Sequence, residues 1–319
     1  MYLGFDIGGT KCAVCLGKAS GEIIARRSFL TEEPRGPDQA VEQLIRHAQE
    51  LIAEHRVTPL AVGISCGSPM DPDAGIIQAP ANLPSWKDVP IVRIVKERLG
   101  LPAFLENDAN AGALAEWLFG AGRGARNLVF MTFGTGMGAG LILDGRLYRG
   151  TNVYAGEVGH IRLAPYGPVG CRKPGSFEGF CSGGGLAQVA RIERQAWEGV
   201  TTLPAAPTAK DVGLAAAAGD ALALHILALC GRYLGAGLAV ILDVLNPQVI
   251  VLGSIFARCE RFLRPAMDEV LRAEALAQTY AVCRVVPAQL GEAIGDVAAV
   301  AIAHNACRQA DAAQGRGVH

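Results

Sequence analysis

Asp6-Ile7-Gly8-Gly9-Thr10-Lys11 sets a carboxylate, two glycines, a hydroxyl and an ammonium side by side. The segment follows an apolar run, Tyr2 to Phe5, and precedes another, Cys12 to Leu16. The pattern predicts a strand ending in an acid, a turn on glycines, and a second strand. Glycines let backbone N–H groups approach an anion closely, and Thr10 and Lys11 add a donor and a charge. A carboxylate at a strand end can hold a hydrated Mg2+. Together these groups suit a nucleoside triphosphate. Taken alone, the segment equally describes an ordinary hairpin, in which Asp and Gly-Gly are turn formers.

The pattern recurs with more glycine at Thr132-Phe133-Gly134-Thr135-Gly136-Met137-Gly138-Ala139-Gly140. Apolar runs flank it again, Asn127 to Met131 and Leu141 to Leu143, and Asp144-Gly145 reads as a hairpin turn. Two such units, one in each half, predict two similar domains serving one nucleotide. No helix follows either turn within a βαβ unit, so this is not the dinucleotide fingerprint. Gly-Lys-Ser/Thr is absent, so it is not a P-loop.

Other polar residues fall at predicted element junctions. Asn107-Asp108 lies where a short strand meets a helix; an Asp there reads as a helix N-cap or as an acceptor for a substrate hydroxyl proton. Gly156-Glu157-Val158-Gly159-His160 puts a carboxylate and an imidazole in a glycine-flanked loop, and Glu178 follows. Any one of these is more often a solvated or structural residue. Several together, across glycine-rich junctions, fit a site for a sugar, whose hydroxyls need polar partners.

The elements that must carry them follow from periodicity. Strands are predicted over 2–6, 12–17, 22–30, 60–65 and 103–106. Helices are predicted from Pro37 to His55, Asp88 to Leu99, and from Asp108 to the glycines at 120–123. The second half opens near Asn127 with three strands, followed by an irregular Gly/Pro-rich stretch, Pro165 to Gly185. Helices near 184–196, 218–243, 258–272 and 293–309 and strands at 248–252 and 282–286 complete it, before a polar tail predicted to be disordered. The implied division is 1–121, completed by the last helix, then 122–292, with 310–319 as the tail.

Bulk properties limit the functions. The chain has 319 residues, which suits two domains, and 50% hydrophobic against 18% charged residues provides a large core. A net charge of −1 without a basic block argues against nucleic-acid or membrane-surface partners. The start lacks a basic, apolar leader, and the most apolar run, Gly235 to Leu245, is too short to span a bilayer. The 9 cysteines are odd in number and scattered, which predicts no disulfide framework and a reducing cytoplasm. Cys12 and Cys15 have a CxxC spacing but fall on opposite faces of a predicted strand, so both read as core.

In order along the chain stand Asp6-Ile7-Gly8-Gly9-Thr10-Lys11, Ala79-Pro80-Ala81-Asn82-Leu83 with Trp86, Glu106-Asn107-Asp108-Ala109-Asn110, Gly134 to Gly140, Gly156-Glu157-Val158-Gly159-His160, and Asn246-Pro247-Gln248-Val249-Ile250-Val251-Leu252-Gly253. This series resembles the ROK family (repressor, open reading frame, kinase) from about residue 2 to 305. The resemblance implies an actin-like (ribonuclease H-like) ATPase fold, with two α/β domains around a cleft holding ATP and sugar. It implies Asp108 as general base. Ser68, Asn82, Asn107, Glu157, His160 and Glu178 would bind sugar. Asp6, Gly8, Gly9, Thr10, Lys11, Gly134, Thr135, Gly136, Gly138 and Gly253 would bind ATP with Mg2+.

Three departures qualify the resemblance. The family's zinc loop reads His, then Cys-x-Cys-Gly-x-x-Gly-Cys-x-Glu. Here His160 is followed by Val169-Gly170-Cys171-Arg172-Lys173-Pro174-Gly175-Ser176-Phe177-Glu178, so only His160 and Cys171 remain. Structural zinc needs four N/S ligands, and zinc is not expected. Gly67-Ser68-Pro69 replaces Pro-Gly-Pro, and Gly253-Ser254-Ile255 replaces Gly-Gly-Gly near the adenosine. The expected activity is ATP-dependent phosphorylation of a hexose, at the 6-hydroxyl of glucose by default. Glucose is preferred because Glu157 and His160 match positions that bind ring-end hydroxyls. N-acetylmannosamine, N-acetylglucosamine, fructose, allose and cyclitols are alternatives. A sugar-sensing regulator is disfavoured because the fold begins at residue 2, and a non-catalytic sugar binder because Asp108 is kept. A homodimer is expected by resemblance only.

Overall fold

The structure, a computed structural model, describes residues 1–314. It divides into two compact units. The first comprises Met1–Arg123 and the chain from Leu290 onward, the second Gly124–Gln289.

The first unit opens with strands β1 (Tyr2–Ile7), β2 (Lys11–Gly17) and β3 (Ile23–Leu30) and helix α1 (Pro37–His55). Pro37 stands in the first turn of α1, where its missing N–H costs nothing. Ala40, Val41, Leu44, Ile45, Ala48 and Leu51 are buried at helical spacing. Strand β4 (Val62–Cys66), the small hairpin β5 (Met70–Asp71) and β6 (Ile76–Ile77), α2 (Ile91–Leu99), β7 (Ala103–Asn107) and α3 (Asp108–Phe119) follow. The sheet order is β3-β2-β1-β4-β7. β1, β2 and β3 are antiparallel neighbours; β4 and β7 extend the sheet parallel to β1.

The second unit contains β8 (Leu128–Met131), β9 (Ala139–Leu143), β10 (Arg146–Tyr148), β11 (Val169–Gly170), β12 (Lys173–Pro174), α4 (Phe177–Cys181), α5 (Gly183–Ala196), α6 (Ala209–Ala217), α7 (Ala221–Leu245), β13 (Val249–Leu252), α8 (Ile255–Glu274), α9 (Ala277–Val282) and β14 (Arg284–Pro287). Its main sheet runs β10-β9-β8-β13-β14, the same antiparallel-then-parallel plan. Helix α10 (Ile294–Ala313) belongs to the first unit and packs on β1, β4 and α3.

Cys12 and Cys15 are both buried on opposite faces of β2. Cys12 packs with Leu3, Phe5 and Ile7, and Cys15 with Tyr2 and Val300 of α10. All 9 cysteines are free thiols.

Four expectations need correction. The tail assigned to 310–319 is helical as far as Ala313, and residues 315–319 lie outside the described residues. The stretch from Pro165 to Gly185 contains the hairpin β11–β12 and the short helix α4. Gly219, at φ 87°, and Asp220, which caps α7 through Ala223 N–H, split an alanine-rich segment into α6 and α7. Because α7 runs back from Leu245 to Ala221, its 25 residues are long and apolar enough to cross a membrane by length and composition. The sequence expectation counted only its second half. In this structure α7 is a core helix, packed against α4, α5, α6 and α8.

Candidate active site

In the first unit, Ile7, Cys66 and Asn107 stand in register across three parallel strands. The carboxyl ends of β1, β4 and β7 therefore share one sheet edge, where open α/β sheets bind ligands. The turn at Gly8–Thr10, the turn containing Ser68, and the Asn107-Asp108 junction all lie there. Gly8 N–H donates to Lys11 O at 3.1 Å, and the Thr31 hydroxyl donates to Gly8 O at 2.5 Å. The N–H groups of Gly9 and Thr10 have no acceptor among the described residues. A side chain at Gly9 would collide with the carbonyl oxygen of Asn82, so glycine lets Asn82 close on the turn.

The strand-to-helix junction resolves the reading of Asn107-Asp108. Asn107 is the N-cap of α3, its Oδ1 accepting Asn110 N–H at 2.8 Å. Asp108 is exposed in the first turn, its carboxylate not needed as the cap. The buried Glu106 accepts from Asn107 N–H at 3.0 Å and Asn110 Nδ2 at 2.9 Å, stiffening the junction.

Asp6, Ser65 and Glu106 are aligned across the sheet on the face opposite Ile7 and Cys66. Asp6 lies against Gly295 of α10; a methyl group there would come 2.6 Å from its Oδ2. Burial pushes the Asp6 carboxyl up to about 6; Asp296 and Asp108 push the same way, while Arg26 and Lys11 oppose. Arg26 Nε donates to Asp296 Oδ2 at 2.7 Å, and Asp296 Oδ1 is buried without a partner among the described residues. The sequence alone assigns no role to Glu106, Asn110, Arg26 or Asp296. The i, i+4 spacing of Glu106 and Asn110 was a usable signal, but nothing local links Asp296 to Asp6.

In the second unit the ends of β8 and β13 are likewise level, with Met131 opposite Leu252. The glycine turn is closed by Thr132 N–H to Gly138 O at 2.9 Å and Gly138 N–H to Thr132 Oγ1 at 2.9 Å. The N–H groups of Thr135 and Gly136 have no acceptor among the described residues, as in the first turn. Gly253 N–H donates to Met131 O at 3.0 Å and Ile255 N–H to Phe133 O at 2.9 Å, which holds the Gly253-Ser254-Ile255 turn against it. Beside these turns opens a cavity of about 1120 Å3, lined by Gly134, Thr135, Gly183, Pro207, Ile255 and Arg258 among others. It has the size and mainly apolar lining of a small-molecule site, and Ile255 forms part of its wall.

Glu157 and His160 are both half-exposed, with His160 Nε2 3.9 Å from Glu157 Oε2. Glu178 is more committed than the sequence suggested. Its Oε1 accepts Cys171 N–H at 2.8 Å and its Oε2 accepts Met137 N–H at 3.0 Å, tying the zinc-type loop to the glycine turn. Burial, then the neighbouring Glu178, push the Cys171 thiol up to about 12.

The chain matches the ROK family over residues 2–306. It belongs to that family. A glucokinase of Halalkalibacterium halodurans is 34% identical over 268 residues, covering 79% of each chain. The crystal structure of a ROK family glucokinase from Streptomyces griseus, in complex with glucose and AMPPNP, superposes with a TM-score of 0.75. It is 29% identical and covers 95% of this chain and 99% of that one. A xylose repressor of Bacillus subtilis is 26% identical, covering 91% of this chain and 73% of the repressor. The fold is that of the actin-like ATPases, and the protein is an ATP-dependent sugar kinase of the ROK family.

Proposed function

We propose that this ROK kinase transfers the γ-phosphoryl group of ATP to the 6-hydroxyl of glucose or a closely related hexose, with Asp108 as general base. The observation that carries the proposal is the sheet edge of the first unit. There an exposed carboxylate at a helix start shares one strand-end line with a glycine turn whose N–H groups lack acceptors among the described residues. Glucose is preferred because of the glucokinase relatives.

The chemistry follows from these groups. Asp108 accepts the proton as the sugar oxygen attacks the γ-phosphorus; the new O–P bond forms while the bond to the β–γ bridging oxygen breaks, releasing ADP. The N–H groups of Gly9, Thr10, Thr135 and Gly136 offer donors to phosphate oxygens, where fixed dipoles stabilise charge without reorganisation. Asn107, its Oδ1 spent on the cap, keeps its amide N–H groups for a sugar hydroxyl, and Ser68, Asn82, Glu157, His160 and Glu178 complete the assigned sugar contacts. Asp6, Gly8, Lys11, Gly134, Gly138 and Gly253 complete the assigned nucleotide contacts.

Among the described residues no three metal-binding side chains gather. Two largely buried carboxylates, Asp6 and Asp296, the latter with an oxygen that has no partner among the described residues, still suit a Mg2+ that keeps most of its waters. We assign Asp6 to it; when bound, Mg2+ neutralises charge on the β- and γ-phosphates. A cytoplasmic homodimer completes the proposal.

The test is a coupled ADP-release screen with MgATP over glucose, fructose, allose, mannose, N-acetylhexosamines and cyclitols. Release dependent on glucose or one near relative is expected. ADP release with none of these sugars, alongside measurable sugar binding, would favour the regulatory reading that the xylose repressor relative supports.

A further inference from the structure

The family's zinc loop is matched here in position but not in its ligands. Its four ligand positions are occupied by His160, Val169, Cys171 and Ser176. Val169 is aliphatic and has no donor atom in its side chain. The hydroxyl of the fully buried Ser176 is already used twice, donating to Gly170 O at 2.9 Å and accepting Gly179 N–H at 3.1 Å as the N-cap of α4. Two candidate ligands at most remain, and tetrahedral structural zinc takes four. The residues do not fit the metal.

Each of the four positions is instead tied by hydrogen bonds within the second unit. His160 O accepts from the Lys173 ammonium at 2.7 Å. Val169 is gripped from both sides by Gln188 of α5; its N–H donates to Gln188 Oε1 at 2.9 Å, and Gln188 Nε2 donates to Val169 O at 2.8 Å. Cys171 N–H donates to Glu178 Oε1, and Ser176 bonds to Gly170 as described. Arg162 adds a bond to Pro174 O at 2.6 Å. The β11–β12 hairpin turns on Cys171 and Arg172 at φ 51° and 55°, a left-handed pair that ordinarily selects Asn and Gly. Cys171 and Arg172 hold that turn without glycine, and the surrounding bonds accompany the strain.

We propose that this loop is a metal-free clamp, in which Lys173, Ser176 and Gln188 do the fixing that a bound zinc would do, and so position His160 and Glu178. A zinc ion draws four chain segments to one centre. Here each of those segments is instead bonded to a neighbouring group of the same unit, 160 to 173, 169 to 188, 176 to 170 and 171 to 178. One of these joints is a cation, the Lys173 ammonium, that would itself repel a divalent ion. Because Glu178 also bonds to Met137 N–H, the clamp reaches the glycine turn at 132–138. Lys173 and Gln188 are positioning residues. That His160 and Glu178 face sugar rests on the function proposed above.

The test uses the full chain, produced in zinc-supplemented medium and purified without chelator. Elemental analysis is expected to find less than about one zinc per ten chains, and EDTA to move the unfolding temperature by less than about 1 °C. One zinc per chain, or a chelator-induced loss of several degrees, overturns the proposal. Lys173→Met is expected to raise the sugar KM about three- to tenfold, with kcat and nucleotide KM within about twofold, and Lys173→Arg to restore it. An unchanged sugar KM, or an even loss of all parameters that Lys173→Arg does not repair, also overturns it. Should no sugar be turned over at all, the kinase assignment fails alone. The clamp is then judged by zinc content and by whether Lys173→Met, but not Lys173→Arg, lowers the unfolding temperature.

Discussion

Replacing Asp6 by Asn should make the protein more stable and inactive at once, with the gain depending on pH. The Asp6 carboxyl is lifted from 3.8 to about 6, first by burial and then by Asp296 and Asp108. That interval corresponds to about 3 kcal/mol. The sign follows from proton binding. The folded state holds this proton more tightly than the unfolded chain, so ionised Asp6 weakens the fold. The deficit is full above about pH 6, shrinks as the pH falls through that value, and vanishes below 3.8. The carboxamide of the variant cannot ionise and fills nearly the same volume beside Gly295. Urea unfolding of both proteins in magnesium-free buffer should therefore give Asp6→Asn an advantage of up to about 3 kcal/mol at pH 8 and almost none near pH 4. Added Mg2+ should stabilise the wild-type protein and leave Asp6→Asn nearly unmoved. A variant no more stable than wild type at pH 8, or an advantage independent of pH, would refute the reasoning.

Three further substitutions probe the remaining parts. Asp108→Ala should lower kcat by about 10^2 to 10^4 while calorimetric binding of glucose and AMPPNP stays within about threefold. Gly9→Ala, whose methyl group meets Asn82, should raise the KM for ATP about tenfold or more in steady-state assays, with a small change in unfolding temperature. Ser176→Ala removes a buried N-cap and should cost about 1–2 kcal/mol by chemical denaturation.

Much of this architecture is legible from periodicity. The glycine turns, the hairpins flanking them and helix α1 carry their signals in consecutive residues. What stayed hidden depends on distant pairings. The hairpin β11–β12 is two residues per strand and turns on non-glycine residues, so no local signal marks it. The start of α7 was blurred because alanines continue through Gly219, where only backbone conformation shows the break. At the site, Asp108 was legible as an acid at a strand–helix junction, yet the cap turned out to be Asn107. Glu178 read as a sugar ligand, and its two backbone partners, Cys171 and Met137, could be known only once the loop was folded. Asp296 is separated from Asp6 by nearly the whole chain.

The choice between enzyme and sugar sensor can be argued from energetics. A sensor needs hydroxyl partners for its sugar and a way to report their occupancy. It gains nothing from a largely buried acid whose ionised form burial disfavours. Nor does it need two glycine turns, each presenting a pair of N–H groups without acceptors among the described residues. The buried acid is unfavourable in the unliganded protein, the solvent-accessible N–H groups are simply left open to an anion, and both are used when a polyanion and its cation bind. A destabilising buried charge of this kind persists where function requires it. The zinc-type loop differs: each of its four ligand-equivalent positions is hydrogen-bonded within the second unit. The loop is therefore satisfied without a ligand while the Asp6 region is not, the distribution expected of a protein whose function is phosphoryl transfer from a nucleotide and its cation.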